Sequence, residues 1–372
     1  MKICRREFIE TVLALFHRQR NRTLWMHPRS QVWFERVDEV YNDELWYANF
    51  RVTKGTFAFI LGKLEQDIAH QNTRLRESVS AKQCLAVTLY YLASTAEYRT
   101  IGNLFGVSRS FVCQCIQEVC KAIAKRFPKV INFPKGDDLL QVIRGYEDKC
   151  GFPMCAGAID GTHIPILAPN KNHNDYVNRK GFHSVLMQAV VDCNYLFRDV
   201  VIGWPGSVHD AQVFSNSTIF EKGNENSLFP DDLTREICGV DVPAVIIADA
   251  AYPLLPWLLK GYPMNEATRS QRLFNYRLAR ARMTVENTFG RWKGRYIGFT
   301  KRVDMDITAL VHVILASCIL HNICEALKNE FLPNWDEAEE MIEEAGMPMD
   351  ELEQDAELVR NALTEYFMDQ QQ

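Results

Sequence analysis

The chain reads as a mixed α/β protein whose first third is all helical, on three observations. Between Ser80 and Phe127 apolar residues recur at three- and four-residue spacing, the period of a helix face. After the Pro- and Gly-marked stretch INFPKGDD (Ile131–Asp138) the texture changes to runs rich in Val, Ile and aromatics, the signature of strands. From Phe274 onward helical spacing returns in two long segments.

Residues 1–79 alternate aromatic and charged positions (WFERVDEVYNDELWYANFRV) and predict helices with a packing surface. Residues 80–130 predict three helices, broken at Ala96-Glu97 and at Gly106. In the last two, Ile101, Leu104 and Phe105 form one apolar face, Gly106 supplies a turn, Val107 plugs the corner, and Ser108 caps a helix with Val112, Ile116 and Val119 inward. This is a helix-turn-helix pattern. It leaves Arg109, Ser110, Gln114 and Gln117 outward, side chains suited to phosphates and base edges; a helical hairpin used only for packing is the alternative.

Strands follow over 155–167, 183–192 and 195–204, the last two joined as a hairpin at Cys193-Asn194. A helix is expected from His209, a fourth strand over 243–248, and helices over 274–295 and 307–327. The domain reading is therefore a helical region (1–79), a helix-turn-helix region (80–130), an α/β domain (150–328) and an acidic C-terminal tail (329–372).

Composition narrows the class. At 372 residues and 47% hydrophobic the chain can build a substantial core. Fully apolar runs fall short of a bilayer span and MKICRREFIE has no signal-peptide pattern, so neither membrane nor export is expected. Eleven cysteines without a C-x-x-C pair support neither a disulfide framework nor a zinc knuckle and suit the reducing cytoplasm or nucleus. The net charge of -5 is unevenly spread. Arg269 to Arg302 holds ten basic residues against the single acid Glu286, while Asp336 to Glu357 has no basic residue. The first segment suits a polyanion; the second reads as a solvated acidic tail.

Three acids stand out. Asp160 interrupts an apolar strand (GAIDGTHIPILAP), Asp249 ends the fourth strand, and Glu286 is alone in the arginine-rich helix. Each has a plain structural reading: a turn acid at a bulge, a helix cap, and a partner for Arg282 one turn away. Asp210, after His209, opens the helix that follows the hairpin and competes with or supplements Asp249. Three antiparallel strands, a helix and a parallel strand are the ribonuclease H-like order, in which first strand, fourth strand and a late helix converge. Carboxylates so gathered are ligands for a hard divalent cation.

Four separated blocks, IDGTH (159–163), PGSVHDAQVF (205–214), ADAAYP (248–253) and RMTVENTFGRWKGRY (282–296), with the closing CILHNIC (318–324), resemble the Harbinger-type DDE transposases and the nucleases derived from them. Ala250-Ala251 departs from the Ser-Gly frequent in that family. The resemblance covers about Ser80 to Leu327. It implies a DDE endonuclease domain in which Asp160, Asp249 and Glu286 are catalytic and, with Asp210, hold a pair of Mg2+ or Mn2+ ions for hydrolysis of DNA phosphodiesters. It also implies double-stranded DNA as substrate, a Myb/SANT-like partner, homo-oligomers, and residence in nucleus and cytoplasm.

Arg179, Lys180, Arg291, Lys293 and Arg295 are the expected phosphate contacts, and His163 and His209 are candidates to orient a carboxylate. A silent DNA-binding scaffold is the competing function, and a ribonuclease acting on RNA hybrids a third.

Overall fold

The computed structural model describes residues 32–72, 74, 77–332, 335 and 353–370. Three helices come first: α1 (Val32–Val40), α2 (Asp43–Phe50) and α3 (Lys54–Ile68). Asn42 and Thr53 cap the second and third by accepting the backbone N–H groups of Leu45 and Thr56. Their inward aromatics, Trp46, Phe50 and Phe57, pack on one another. The part of the expected N-terminal helical region before residue 32 lies outside the described residues.

The next three helices are α4 (Ala81–Ala93), α5 (Tyr98–Leu104) and α6 (Arg109–Arg126). The α5–α6 turn is built as its residues dictate. Gly106 adopts φ 71°, Val107 is buried, and the Ser108 hydroxyl accepts from Phe111 N at 3.1 Å. A Cβ at Gly102 would come within 2.8 Å of the Val107 carbonyl oxygen, so close approach of the two helices requires glycine there.

Helix α7 (Asp137–Cys150) occupies the end of the expected linker and the residues after it, burying Leu139, Val142, Ile143 and Tyr146 at helical spacing. Strands β1 (Cys155–Pro165), β2 (Ser184–Val191) and β3 (Phe197–Pro205) form an antiparallel meander. Two short helices, α8 (Asp210–Ser215) and α9 (Thr218–Asn224), stand where one was expected. A hairpin, β4 (Thr234–Ile237) and β5 (Val240–Pro243), makes a separate two-stranded sheet. Strands β6 (Val245–Ile247) and β7 (Leu258–Leu259) complete the main sheet in the order β3-β2-β1-β6-β7, with β6 parallel to β1.

Three helices follow: α10 (Arg269–Arg295), α11 (Ile307–Ala326) and α12 (Glu353–Asp369). A capping box starts α10: Thr268 accepts from Gln271 N, and Gln271 accepts from Thr268 N. Helix α11 is long and apolar enough to cross a membrane, yet most of it is buried, with Leu310, Val313, Ile314 and Leu320 in the core. Part of the expected acidic tail is also core: α12 buries Ala356, Leu363 and Phe367, and Phe367 packs on Phe152 and Phe274. Its acids occupy the helix's other positions. Residues 336–352 of that tail lie outside the described residues.

The sheet has two differently lined faces. One belongs to the main core, with Ala158, Ile164, Met187 and Ala189 under α10 and α11; the other, with Ile159, Val190 and Ile246, is covered by Phe214, Ile219 and Trp257. Alternation along β1 therefore sets Asp160 on the α10 face and Gly161 on the α8 face. The parallel partner is short. Pairing with β6 ends at Ala158–Ile247, and among the described residues β1's edge meets no further strand until the single bridge Ile166–Val303.

Candidate active site

That step in the sheet creates the site. Asp160 emerges where β6 has ended, and the register that sets Ile247 beside Ala158 carries Asp249 alongside Asp160. Helix α10 crosses the same point. Arg282 Nη2 lies 3.3 Å from Asp160 Oδ2 and 3.7 Å from Glu286 Oε1, so one nitrogen faces two carboxylates. Asp160 is buried, Asp249 and Glu286 half-buried.

Burial pushes the Asp160 carboxyl up to about 7; Arg282 opposes this, while Asp249 and Glu286 add to it, with Gly161 N donating to Oδ1 at 2.8 Å. Two carboxylates thus meet one guanidinium, and a third, Asp249, acts on Asp160 through its charge. Asp249 also closes a turn, its Oδ1 accepting from Ala251 N at 3.0 Å. The Arg282–Glu286 pair holds together with the convergence, whereas the helix-cap reading of Asp249 does not, because a turn and not a helix follows it.

Asp210 arrives from the opposite side. It is buried in the first turn of α8, and a Cβ on Gly161 would lie 2.4 Å from its Oδ1. Gln188, opposite Gly161 on β2, donates from Nε2 to the Asp210 carbonyl (3.0 Å) and to Tyr252 Oη (2.9 Å). Tyr252 is fully buried; burial and then the charges of Asp210, Asp160 and Asp249 hold its phenol well above its ordinary pKa. Tyr252 thus senses the acids of both sides.

Arg282, Tyr252, Gln188 and Gly161 were not among the expected site residues. The legible signals were Gln188, the one polar residue inside SVLMQAVV, and Tyr252, three residues after Asp249.

The donors suit a hard divalent cation. All are carboxylate oxygens, and the buried Gln188 Oε1 has no hydrogen-bond partner. Among the described residues no three acidic, His or Cys side chains already close on a common point. Asp160 and Glu286 stand around Arg282 instead.

The expected phosphate contacts divide sharply. Arg179 and Lys180 are exposed on the turn at Asn178–Gly181, and Arg179 contacts His209 Nδ1. His209 occupies the N-cap position of α8 without a side-chain capping bond. His163 Nδ1 is 3.0 Å from Ser184 Oγ, which also accepts from Asn178.

Arg291, Lys293 and Arg295 do not form a phosphate-binding face. Arg295 is fully buried and donates to Tyr47 Oη, the Arg51 and Asn329 carbonyls and Glu325. Lys293 is buried with Nζ 3.3 Å from the His163 carbonyl oxygen, and Arg291 is half-buried, paired with Glu325 at 2.7 Å. The end of α10 enters the core, so these charges serve protein acceptors. On α6, Arg109, Ser110 and Gln114 are exposed and Gln117 half-buried. Arg109, Ser110 and Gln117 line a groove of about 420 Å³ whose other wall carries Asp304 and Asp306.

Residues 159–322 match the DDE superfamily endonuclease family. The Arabidopsis thaliana protein named "Antagonist of like heterochromatin protein 1" is 29% identical over 74% of this chain and 71% of its own length. An Arabidopsis "Protein ALP1-like" is 29% identical over 76% and 71%. The Homo sapiens "Putative nuclease HARBI1" is 25% identical over 77% and 79%. No solved structure gives a significant match.

Proposed function

We propose, from the premise that this chain carries a DDE superfamily endonuclease domain and is a relative of the Harbinger-derived nucleases, that it hydrolyses phosphodiester bonds of double-stranded DNA with divalent metal. The observation that carries the reading is the convergence of Asp160, Asp249 and Glu286 at the step in the sheet, where Arg282 pairs with Asp160 and Glu286 and the charge of Asp249 acts on Asp160. Asp160, Asp249 and Glu286 would hold Mg2+ or Mn2+, with Asp210 as a further ligand. When bound, the metal supplies Lewis acidity toward the phosphate and lowers the pKa of water.

The protein's own part is positioning. The Asp160 carboxylate is held by Gly161 N, Asp249 by its turn, and Glu286 by a helix packed on β1, so little reorganisation is needed when a cation arrives. Arg282 meanwhile pairs with Asp160 and Glu286. Strand order supports a ribonuclease H-like domain beginning near residue 150, and the α5–α6 geometry supports a helix-turn-helix in which Arg109, Ser110, Gln114 and Gln117 contact duplex DNA. Arg179 and Lys180 are phosphate contacts on the α8 side. A Myb/SANT-like partner, self-association and a nuclear and cytoplasmic location complete the reading.

The test is nicking of supercoiled plasmid with Mg2+ or Mn2+ by wild type and by Asp160→Ala, Asp249→Ala and Glu286→Ala. Cleavage lost in all three is expected; cleavage surviving all three overturns the assignment. One relative is named for antagonism of a heterochromatin protein, which favours a second reading, a DNA-binding scaffold without cleavage. DNA binding by wild type without any nicking, partner present, would select it.

A further inference from the structure

The first half of α10 carries a surface that the site itself does not use. Arg269, Arg272, Tyr276, Arg280, Met283 and Asn287 are exposed and follow one another at three- and four-residue steps, which puts them in a single stripe. The opposite face is core: Phe274, Leu278, Ala281 and Val285 are buried. Tyr276 is 62% exposed and Met283 51%, and the two stand one on either side of Arg280 in the same stripe.

Between Arg269 and Val285 the helix has no acid. Glu365 of α12 lies toward Ser270 and Gln271, on another flank. The stripe leads to chemistry: Met283 is less than one turn from Glu286, and Tyr276 is about 15 Å from it along the axis, at about 1.5 Å per residue. That distance matches roughly four nucleotides at about 3.4 Å each.

Deepening the nuclease reading, on which it rests, we propose that this stripe binds a DNA strand whose bases are unpaired beside the scissile phosphate. Arg269, Arg272 and Arg280 contact phosphates, the Tyr276 ring stacks on a base, and Met283 fills the space beside the next. Guanidiniums alone would serve an intact duplex, whose bases are hidden from a helix lying on its backbone. Exposed Tyr and Met between them match base faces, which only an opened strand presents. The occupant is therefore a frayed or single-stranded segment entering the acid site.

The experiment is binding of full-length protein, without divalent metal, to two fluorescent duplexes of one sequence, one flush and one with four unpaired nucleotides. Wild type should prefer the frayed duplex. Tyr276→Ala should lose about five- to 150-fold of that affinity, the range of one base stack, and Tyr276→Phe should restore it. Arg272→Ala should flatten the salt dependence by nearly one phosphate. Equal binding of both duplexes by wild type, or unchanged binding by Tyr276→Ala and Arg272→Ala at every salt concentration, overturns the proposal; unchanged melting temperatures of the variants exclude misfolding as the cause of a loss. Because no cleavage is read, failure of the nuclease assignment is separate: a protein that never nicks DNA but discriminates the two duplexes through Tyr276 keeps this surface.

Discussion

Two charge clusters on α10 sit barely three turns apart and are balanced in opposite ways. Around Asp160, one guanidinium is shared by Asp160 and Glu286, and Asp249 adds its charge to the Asp160 carboxyl. Around Glu325, two guanidiniums share one carboxylate, and the surplus is absorbed by the carbonyls of Arg51 and Asn329 and by Tyr47. The second cluster is satisfied by the protein and ties α2, α10 and α11 together. In the first, two carboxylates face one guanidinium; in the second, two guanidiniums face one carboxylate. Burial of charge is common to both; the difference is which sign is in the majority around the shared partner.

Substitutions should separate the clusters cleanly. Removing Asp160, Asp249 or Glu286 should cost about a thousandfold or more in cleavage, given several kcal/mol of transition-state stabilisation from the metal, and leave thermal stability unchanged or raised. Glu325→Ala should do the reverse, losing about 3–5 kcal/mol in a denaturant titration by stranding two guanidiniums, while calorimetric Mn2+ affinity stays at the wild-type value in the folded protein. Equal effects of both classes on stability would erase the contrast.

A smaller change tests the junction between the two sides of the site. Gly161→Ala forces a methyl group against Asp210 Oδ1 and should destabilise by about 1–3 kcal/mol as an overpacked substitution, with Mn2+ affinity falling if Asp210 is a ligand.

The smallest expected effect is on pH dependence. A carboxyl whose pKa is raised from 3.8 to about 7 binds a proton in the folded protein that the unfolded chain has released, so stability falls as pH rises through 7. Between pH 6 and pH 8 the metal-free protein should lose about 1.4 kcal/mol, and Asp160→Asn should remove that share of the pH dependence.

The sequence made much of this visible. Asp160 was conspicuous because a charge inside an apolar strand demands a reason, and the meander, β6 and both long helices followed from local pattern. The arginines were not separable by pattern. Arg280 and Arg295 look alike along the chain, and what buries Arg295 is Tyr47, 248 residues away, and Glu325, 30 residues away. Helix α7 was hidden behind a Pro- and Gly-marked approach, though Leu139, Val142, Ile143 and Tyr146 have helical spacing. In α12 the acids masked the apolar face that packs on Phe152. Gln188 and Tyr252 acquire meaning only through the partner that each finds across the sheet.

The early end of β6 has a consequence for solubility. A strand edge without a neighbour is a template on which another chain can add, and charged groups are a common guard against such pairing. Asp160 and Asp249 stand at that edge, and Asp160 occupies Gly161 N with its own carboxylate. The acids proposed to gather a cation therefore also guard the open edge against recruiting a second strand. Alanine variants at these positions should self-associate more readily than the asparagine variants, which light scattering at rising protein concentration would reveal.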